Sequence, residues 1–297
     1  MVGVEKYHGT GNDFIIIDAA ENVPDRRALA ADLCDRETGL THPEASKTGA
    51  DGILFLALED EYSPPRVVMT LVQPDGSVAA MCGNGARCAA QWVAERTGSD
   101  VVMIDTQSGT RRAEVSEQGV TIEMGDPSFE PADVPLNRDE PLIQETVEGL
   151  PVTAVNTGVP HAVAFVEDVT TIHIEDVAPA VRHADVFPEG ANVTFAARRP
   201  DGGFDQRTFE RGVEAETDSC GTGAVAIVAA AERLGKVERR QRVAVHPPGG
   251  RLVVELIEDD ALLHGPVERE FAGHVAIGGS ERVASDTDTD ADATSDD

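Results

Sequence analysis

The sequence has few cysteines, almost no lysine and no long apolar run, and each shortage excludes a class of protein. Its four cysteines form no Cys-x-x-Cys pair and no Cys/His cluster, which argues against a structural zinc site. No apolar run approaches the roughly 20 residues that a membrane-spanning helix needs. The N-terminus shows no basic region followed by an apolar stretch, so we predict no secretory signal. We therefore expect a cytoplasmic protein, in which structural disulfides are rare.

Positive charge is also scarce. The 24 lysine and arginine residues face 54 aspartate and glutamate residues, which gives a formal net charge of −30. Such a surface repels nucleic acid and anionic membranes, so we predict neither as a partner. The surface also repels itself unless salt screens it, and this favours a protein from a salt-rich cytoplasm.

One short motif occurs twice. Each copy places a cysteine before a glycine-rich turn that leads into an alanine-rich run, at Cys82-Gly83-Asn84-Gly85 and at Cys220-Gly221-Thr222-Gly223. The surroundings repeat in the same order, since Gly49-Ala50-Asp51 is matched by Gly190-Ala191-Asn192. Several correspondences in one order indicate a duplicated domain.

We therefore predict the α/β (α+β) class, with two pseudo-symmetric domains that each wrap a sheet around one central helix. The first central helix should follow Cys82 and run to Thr97, with Gly98 as its C-cap. The first domain is predicted to comprise residues 1–126 and 267–279, and the second residues 127–266. The acidic tail, residues 280–297, has no apolar periodicity and is predicted to be disordered.

The two cysteines suggest a reaction. A cysteine at a helix N-terminus should have a lowered pKa, because the helix dipole and the free N–H groups stabilise its thiolate. The same N–H groups can bind a substrate carboxylate. Two such thiols facing one carbon could invert it, since one would remove a proton and the other would deliver one to the opposite face.

The sequence favours a mechanism without a cofactor. Pyridoxal phosphate, the usual cofactor for amino-acid racemisation, needs a Schiff-base lysine. Only Lys6, Lys47 and Lys236 are present, and none stands in a phosphate-binding context. The run from Gly221 to Ala226 formally matches a dinucleotide fingerprint, but no apolar strand precedes it. We expect neither a cofactor nor a metal.

Six motifs together resemble the diaminopimelate epimerases, a family of cofactor-independent amino-acid epimerases. The similarity extends from about Val4 to Phe271, and the related proline racemases carry histidine where Asn84 stands. The motifs are His8-Gly9-Thr10-Gly11-Asn12-Asp13-Phe14, Pro74-Asp75-Gly76-Ser77, Met81-Cys82-Gly83-Asn84-Gly85-Ala86-Arg87-Cys88, Phe209-Glu210-Arg211-Gly212, Cys220-Gly221-Thr222-Gly223-Ala224 and Pro248-Gly249-Gly250.

The resemblance implies mostly antiparallel sheets and the conversion of LL- to meso-diaminopimelate for lysine biosynthesis. It implies that Cys82 and Cys220 are the acid/base pair, with Cys82 as the base for the LL isomer. His161 and Glu210 would tune the two thiols. The residues implied to bind substrate are Asn12, Gln73, Gly83, Asn84, Asn192, Glu210, Arg211, Gly221 and Thr222. The resemblance also implies a homodimer, with Phe271 near an aromatic position linked to the dimer contact.

Three positions depart from the family pattern, and they leave alternatives open. Val159 replaces an asparagine found in many members, Gln73 replaces another, and Gly52 stands where some members have glutamine. A racemase for a different amino acid is one alternative, and a non-catalytic, redox-sensing binding module is another. His161 could also be only a packed turn residue, and Glu210 only a partner of Arg211.

Overall fold

The computed structural model describes residues 1–277 and the backbone of residues 285–286. The first half of this part contains eight strands and two helices. They are β1 (Val2–Gly9), β2 (Asn12–Asp18), α1 (Arg26–Leu33), β3 (Gly52–Glu59), β4 (Arg66–Val72), β5 (Val78–Ala79), α2 (Gly83–Thr97), β6 (Val101–Thr106), β7 (Gly109–Ser116) and β8 (Gly119–Glu123).

The second half has the same kinds of elements and a short 3₁₀ helix, Val169–Thr171. They are β9 (Glu145–Val147), β10 (Leu150–Asn156), β11 (Pro160–Val166), α3 (Ile174–Arg182), β12 (Asn192–Arg198), β13 (Phe204–Glu210), β14 (Ala215–Thr217), α4 (Gly221–Arg233), β15 (Arg242–His246), β16 (Leu252–Leu256), β17 (Ala261–Gly265), β18 (Glu268–Val275) and β19 (Ser285–Asp286). The predicted tail lies outside the described residues, except that β19 pairs with β18. In the described part of the chain, no helix is long and apolar enough to span a membrane.

The two halves share one topology. In the first, β1 and β2 pair antiparallel, β2 and β3 parallel, β3 and β4 antiparallel, and β4 and β6 parallel, before β6, β7 and β8 continue antiparallel. Strands β10, β11, β12, β13, β15, β16 and β17 repeat this pattern of directions in the same order. The prediction of two repeated α/β halves with mostly antiparallel sheets is therefore confirmed.

The halves are joined through their sheets. Strand β17 pairs antiparallel with β8, so the sheet of one half continues into that of the other. Strand β18 then returns to pair with β1 of the first half. The domain boundaries given above stay a prediction.

Each sheet curves around one helix, because that helix is small and apolar on every side. Helix α2 is buried from Gly83 to Ala90, and α4 is buried from Gly221 to Ala231. One hydrophobic core contains both helices, while α1 and α3 pack in separate clusters on the outer faces of the sheets. Gly98 ends α2 in the left-handed conformation, with φ of 69°, as predicted for a C-cap.

Candidate active site

The two central helices begin side by side, and glycine makes this approach possible. Gly83 and Gly221 are the first residues of α2 and α4. A Cβ atom on Gly221 would lie 2.9 Å from Cδ2 of Leu263 and 3.8 Å from Cα of Gly83. A Cβ atom on Gly83 would lie 3.2 Å from the same Leu263 methyl group. The repeated motif therefore brings two helix N-termini together against one leucine of β17.

Cys82 is the N-cap of α2. Its half-buried sulfur accepts the N–H of Gly85 at 3.4 Å. Burial raises the pKa of the Cys82 thiol to about 11, the Gly85 N–H lowers it, and the carboxylate of Glu210 raises it further. The sequence argument expected a lowered pKa, and this expectation is wrong for the structure, because burial outweighs the helix N–H groups.

Cys220 occupies the same position on α4 and is buried. Burial raises its pKa well above the ordinary value, and the carboxylate of Glu210 adds to the rise. The Thr222 hydroxyl, whose oxygen lies 3.4 Å from the sulfur, and the Gly223 N–H act in the opposite direction. The charge of Cys82 also raises this pKa, so the two thiols are close enough to resist simultaneous ionisation.

Glu210 ends β13 beside both thiols. Its carboxylate accepts a hydrogen bond from the Thr217 hydroxyl at 2.6 Å. Burial raises the pKa of Glu210, while hydrogen bonds from Thr217 and from the Cys220 thiol lower it. Glu210 therefore acts on the ionisation of both thiols, and among the described residues it forms no ion pair with Arg211.

His161 is fully buried in β11. Its Nε2 lies 3.0 Å from Oγ1 of Thr222, and its Nδ1 lies 3.0 Å from Oγ1 of Thr194. Burial lowers the pKa of His161 to about 3, and the charge of Arg211 contributes, so the imidazole is neutral near pH 7. The structure places His161 behind Thr222, one hydroxyl group away from the Cys220 sulfur.

A cavity of about 890 Å³ opens at the two helix N-termini. Apart from His161, every residue that the sequence nominated lines it. They are Asn12, Gln73, Cys82, Gly83, Asn84, Asn192, Glu210, Arg211, Cys220, Gly221 and Thr222.

The polar side chains of the first half are held by a carboxylate that the sequence analysis missed. Asn12 donates through Nδ2 to Asp51 at 2.9 Å, and its Oδ1 accepts from Asn84. Asp51 is also paired with Arg36, and all four residues line the cavity. The repeat could have identified Asp51, because it is the counterpart of Asn192.

The second half presents a guanidinium group. Asn192 accepts the backbone N–H of Arg211 at 2.7 Å and donates to the carbonyl oxygen of Pro160 at 3.1 Å. Arg211 donates through Nη1 to the carbonyl oxygens of Glu189 and Gly190, both at 3.2 Å. Among the described residues it forms no ion pair, so its charge is available to a carboxylate of the substrate.

An ion pair at the mouth of the cavity connects the two halves. Lys47 Nζ lies 3.0 Å from a carboxylate oxygen of Asp218 and 3.4 Å from the carbonyl oxygen of Gly11. Sequence reasoning missed both charged residues, because each lies in a loop outside the family motifs.

The departures from the family pattern take defined places. Val159 lines the cavity with an apolar side chain, and Gln73 lines it while accepting from the Ser77 hydroxyl at 2.8 Å. Gly52 begins β3, where a Cβ atom would lie 2.6 Å from Cδ1 of Leu71, so a larger residue would displace that leucine. Phe271, expected near a dimer contact, is buried within the chain and stacks on His42 with ring centroids 4.2 Å apart.

The site can bind an anion and exchange protons. Both helix N-termini present backbone N–H groups, which suit one carboxylate. The thiols of Cys82 and Cys220 border the same cavity, and Arg211 can hold a second charged end. In the described residues, no group of three or more His, Cys, Asp or Glu residues could hold a metal ion.

Comparisons with known proteins agree with this geometry. The family model described as "Diaminopimelate epimerase" matches residues 4–130 and 153–270. The chain is 40% identical over 284 residues to the diaminopimelate epimerase of Methanocella arvoryzae, covering 92% of this chain and 96% of that protein. It is 42% identical over 281 residues to that of Methanothrix thermoacetophila, covering 91% and 95%.

Solved structures share the fold at low identity. A Bacillus anthracis phenazine biosynthesis protein of the PhzF family superposes with a TM-score of 0.66 and 15% identity, covering 93% of this chain and 99% of that one. A hydroxyproline epimerase from Agrobacterium vitis, with bound trans-4-hydroxy-L-proline, gives a TM-score of 0.61 and 16% identity, covering 91% of each.

Proposed function

The chain belongs to the diaminopimelate epimerase family, and from this premise we propose that it interconverts LL- and meso-diaminopimelate by a two-thiol mechanism. One observation carries the proposal: Cys82 and Cys220 cap two helices that begin side by side, and both thiols border one cavity. The duplicated halves thereby supply one thiol each to a single substrate carbon.

The mechanism removes one proton from the α-carbon of the substrate and adds another to its opposite face. For the LL isomer, the Cys82 thiolate takes the α-proton, and the electron pair of the broken C–H bond remains on the substrate. The backbone N–H groups at Gly83–Asn84 and Gly221–Thr222 stabilise the charge that spreads onto the α-carboxylate. The Cys220 thiol then donates its proton to the opposite face of the carbon. Cys82 ends as the thiol and Cys220 as the thiolate, which is the state needed for the reverse reaction.

The raised pKa values fit this exchange. Glu210 accepts the S–H of Cys220 and opposes ionisation of either thiol. An α-proton beside a carboxylate is a very weak acid, so a thiolate of high pKa is the stronger base for removing it. The raised pKa values also mean that only a small fraction of either cysteine is thiolate at neutral pH before the substrate occupies the cleft.

The rest of the cavity holds the non-reacting end of the substrate. Arg211 can bind the distal carboxylate bidentately, because it forms no ion pair with a carboxylate of the described residues. Asn12, Gln73 and Asn192 offer amide groups to the remaining ammonium and carboxylate groups. A substrate with two charged ends therefore fits better than a simple monocarboxylate.

We further propose that the product supplies lysine biosynthesis and that the enzyme works in the cytoplasm as a homodimer. These points rest on the family resemblance alone. Phe271 packs inside the protomer.

Exchange of the α-proton with solvent deuterium tests the reaction directly. The protein is incubated in deuterated, high-salt buffer with LL-diaminopimelate and a panel of other amino acids. We expect deuterium incorporation and inversion with diaminopimelate, and no inversion by Cys82→Ala or Cys220→Ala. Cys88→Ala removes a core thiol that does not line the cavity and should stay active. Inversion by either active-site variant would remove the two-thiol mechanism.

A racemase for another amino acid is the second candidate, and Val159 favours it. Its apolar side chain lines the cavity where many family members have an asparagine. Exchange with another amino acid of the panel, but not with diaminopimelate, would favour this candidate. Absence of exchange with every amino acid would favour the binding module.

A further inference from the structure

A chain of hydrogen bonds leads away from the Cys220 sulfur into the interior of the second half. The sulfur lies 3.4 Å from Oγ1 of Thr222, and that oxygen lies 3.0 Å from Nε2 of His161. On the far side of the imidazole ring, Nδ1 lies 3.0 Å from Oγ1 of Thr194. All four side chains are buried, so bulk water does not compete for these contacts.

The chain returns to its starting residue. Oγ1 of Thr194 lies 3.3 Å from Oγ1 of Thr208. Gln206 donates through Nε2 to that threonine at 3.1 Å and to the carbonyl oxygen of Cys220 at 2.9 Å. Six residues on three strands and one helix N-terminus thus form a closed, buried ring.

The carbonyl group of Cys220 fixes the direction of the hydrogen bonds. A carbonyl oxygen only accepts, so the nitrogen of the Gln206 amide must face it. Both hydrogens of that amide group are then used, and Thr208 accepts the second. The hydroxyl hydrogen of Thr208 has one contact left among the described residues, the oxygen of Thr194. Thr208 therefore donates to Thr194, because the reverse direction would bury a donor without a partner.

The same assignment of hydrogen-bond donors extends from Thr194 to the Cys220 thiol. Thr194 accepts from Thr208, so its own hydrogen goes to Nδ1 of His161. A neutral imidazole carries one hydrogen, which must then be on Nε2, and it is donated to Thr222. The amide nitrogen of Asn192 also lies 3.5 Å from Nε2, but this distance is at the limit of a hydrogen bond, whereas the oxygen of Thr222 lies at 3.0 Å. The hydroxyl hydrogen of Thr222 is left for the Cys220 sulfur.

We propose that Gln206, Thr208 and Thr194 are positioning residues, which hold the hydrogen of His161 on Nε2 and so direct the Thr222 hydroxyl to the sulfur of Cys220. When Cys220 is a thiolate, this hydroxyl hydrogen and the Gly223 N–H stabilise it. When Cys220 is protonated, its S–H donates to Glu210 instead. The surroundings of Cys220 therefore accommodate both states that it must adopt in turn.

The first half, which carries Cys82, lacks this ring of hydrogen bonds. Strand β12 begins at Asn192 and β3 begins at Gly52, so Thr194, two residues into its strand, corresponds to Leu54. Thr194 lies opposite Thr208 in the sheet, and Leu54, which packs in the core around α2, lies opposite Leu71. The wall behind Cys82 is apolar where the wall behind Cys220 is polar. Two thiols that must hold opposite protonation states have thereby acquired different environments.

The pH dependence of Cys220 alkylation tests the proposal without substrate, so its outcome is independent of the proposed epimerase activity. The titratable groups around the Cys220 side chain are Glu210, Cys82 and, behind Thr222, His161. Cys82→Ala removes the coupled thiol and serves as the background for each variant. In this background, Thr208→Val should raise the pH of half-maximal reaction of Cys220 with iodoacetamide by about one unit. Thr208→Ser should restore it, because serine keeps the hydroxyl group.

Two further measurements make the result decisive. Thr153→Val removes another buried threonine hydroxyl, which accepts the Gln144 N–H and bonds to no residue of the ring, and should leave the alkylation profile unchanged. Nitrogen-15 NMR of the wild-type protein should show His161 neutral with its hydrogen on Nε2, the signal being assigned by its loss in His161→Gln. A hydrogen on Nδ1 would overturn the proposal even if Thr208→Val fails to fold. An unchanged Cys220 profile in folded Thr208→Val would also overturn it.

Discussion

His161 shows how burial decides the charge of a single residue. The ring is fully buried, and the charge of Arg211 has the same sign as a protonated imidazole, so protonation is doubly disfavoured. The hydrogen bonds to Thr194 and Thr222 satisfy a neutral ring completely. His161 therefore contributes as a fixed hydrogen-bonding group, and it does not exchange protons near neutral pH.

This neutrality predicts a pH-dependent stability. His161 has a pKa of about 3 in the folded state and about 6.5 when unfolded. Between these values only the unfolded state binds the proton. The contribution of neutral His161 to the free energy of unfolding is therefore present above pH 6.5 and is lost as the pH falls. The loss is about 1.4 kcal/mol per pH unit. Urea unfolding in high salt should show the gap between wild type and His161→Gln shrinking by about 2 kcal/mol from pH 7 to pH 5. A constant gap would contradict the assignment.

Residues in dense motifs could be predicted, and residues between motifs could not. Cys82 and Cys220 each stand before a glycine-rich turn and an alanine-rich run, a pattern typical of the start of a helix, so their neighbourhood could be derived. Asp51 and Lys47 enter the site from one long loop without apolar periodicity. Thr194 and Thr208 look like ordinary strand residues, and only the register shows that they face each other.

Helix α4 is positioned by glycines at its two ends, for different reasons. At its start, Gly221 leaves room for Leu263 and for the neighbouring helix. Just after its end, Gly235 has φ of 67° and nothing within 4 Å of a Cβ position. The first glycine serves close packing and the second serves backbone conformation.

Alanine at these two positions should separate activity from stability. Gly221→Ala places a methyl group 2.9 Å from Leu263 Cδ2, so the N-terminus of α4 or Leu263 must shift. We expect at least a tenfold loss of epimerase activity and a stability cost of about 1–3 kcal/mol. Gly235→Ala should cost about 1 kcal/mol and retain activity. Steady-state kinetics and urea unfolding check both, and equal activity of the two variants would contradict the packing argument.

The central helices were easier to predict than the polar strands. Helix α2 has an N-cap, a glycine C-cap and small residues throughout, and it begins and ends as predicted. Strand β7 was not predicted, because its polar residues, such as Arg111, Arg112 and Glu114, give no apolar alternation. Its place is set by pairing with β6 and β8, which a local pattern does not contain.

At the scale of the whole molecule, the proposed two-thiol mechanism requires the two halves to stay close enough for both thiols to reach one carbon. Mild oxidation with diamide tests this, because it takes two electrons and two protons from a pair of neighbouring thiols and joins their sulfurs. We predict a reversible Cys82–Cys220 link, seen by peptide mass mapping as a loss of two hydrogens. Cys34 and Cys88 lie in the core and should remain reduced. A substrate that fills the cavity should slow the reaction.

Absence of the disulfide link would indicate that the two halves lie farther apart in solution than in the structure. In that case the cleft would stand open in solution, and the inversion would require a closing step. Closing would then bring Lys47 and Asp218 together, as they are in the structure. Asp218→Asn should increase the rate of linking if this ion pair slows access to the thiols, and should decrease it if the pair holds the halves together.

The net charge of −30 governs how stable the folded chain is in different salts. At about 0.1 M salt, charges repel across roughly 10 Å, and at 1 M the range falls to roughly 3 Å. Compaction concentrates the excess carboxylates, so salt should stabilise the folded state more than the expanded one. We predict that the melting temperature rises by several degrees between 0.1 M and 2 M potassium chloride. Betaine at equal osmolality carries no net charge and should produce a smaller rise. A melting temperature independent of potassium chloride would show that local ion pairs, and not the overall repulsion, set the stability of this acidic chain.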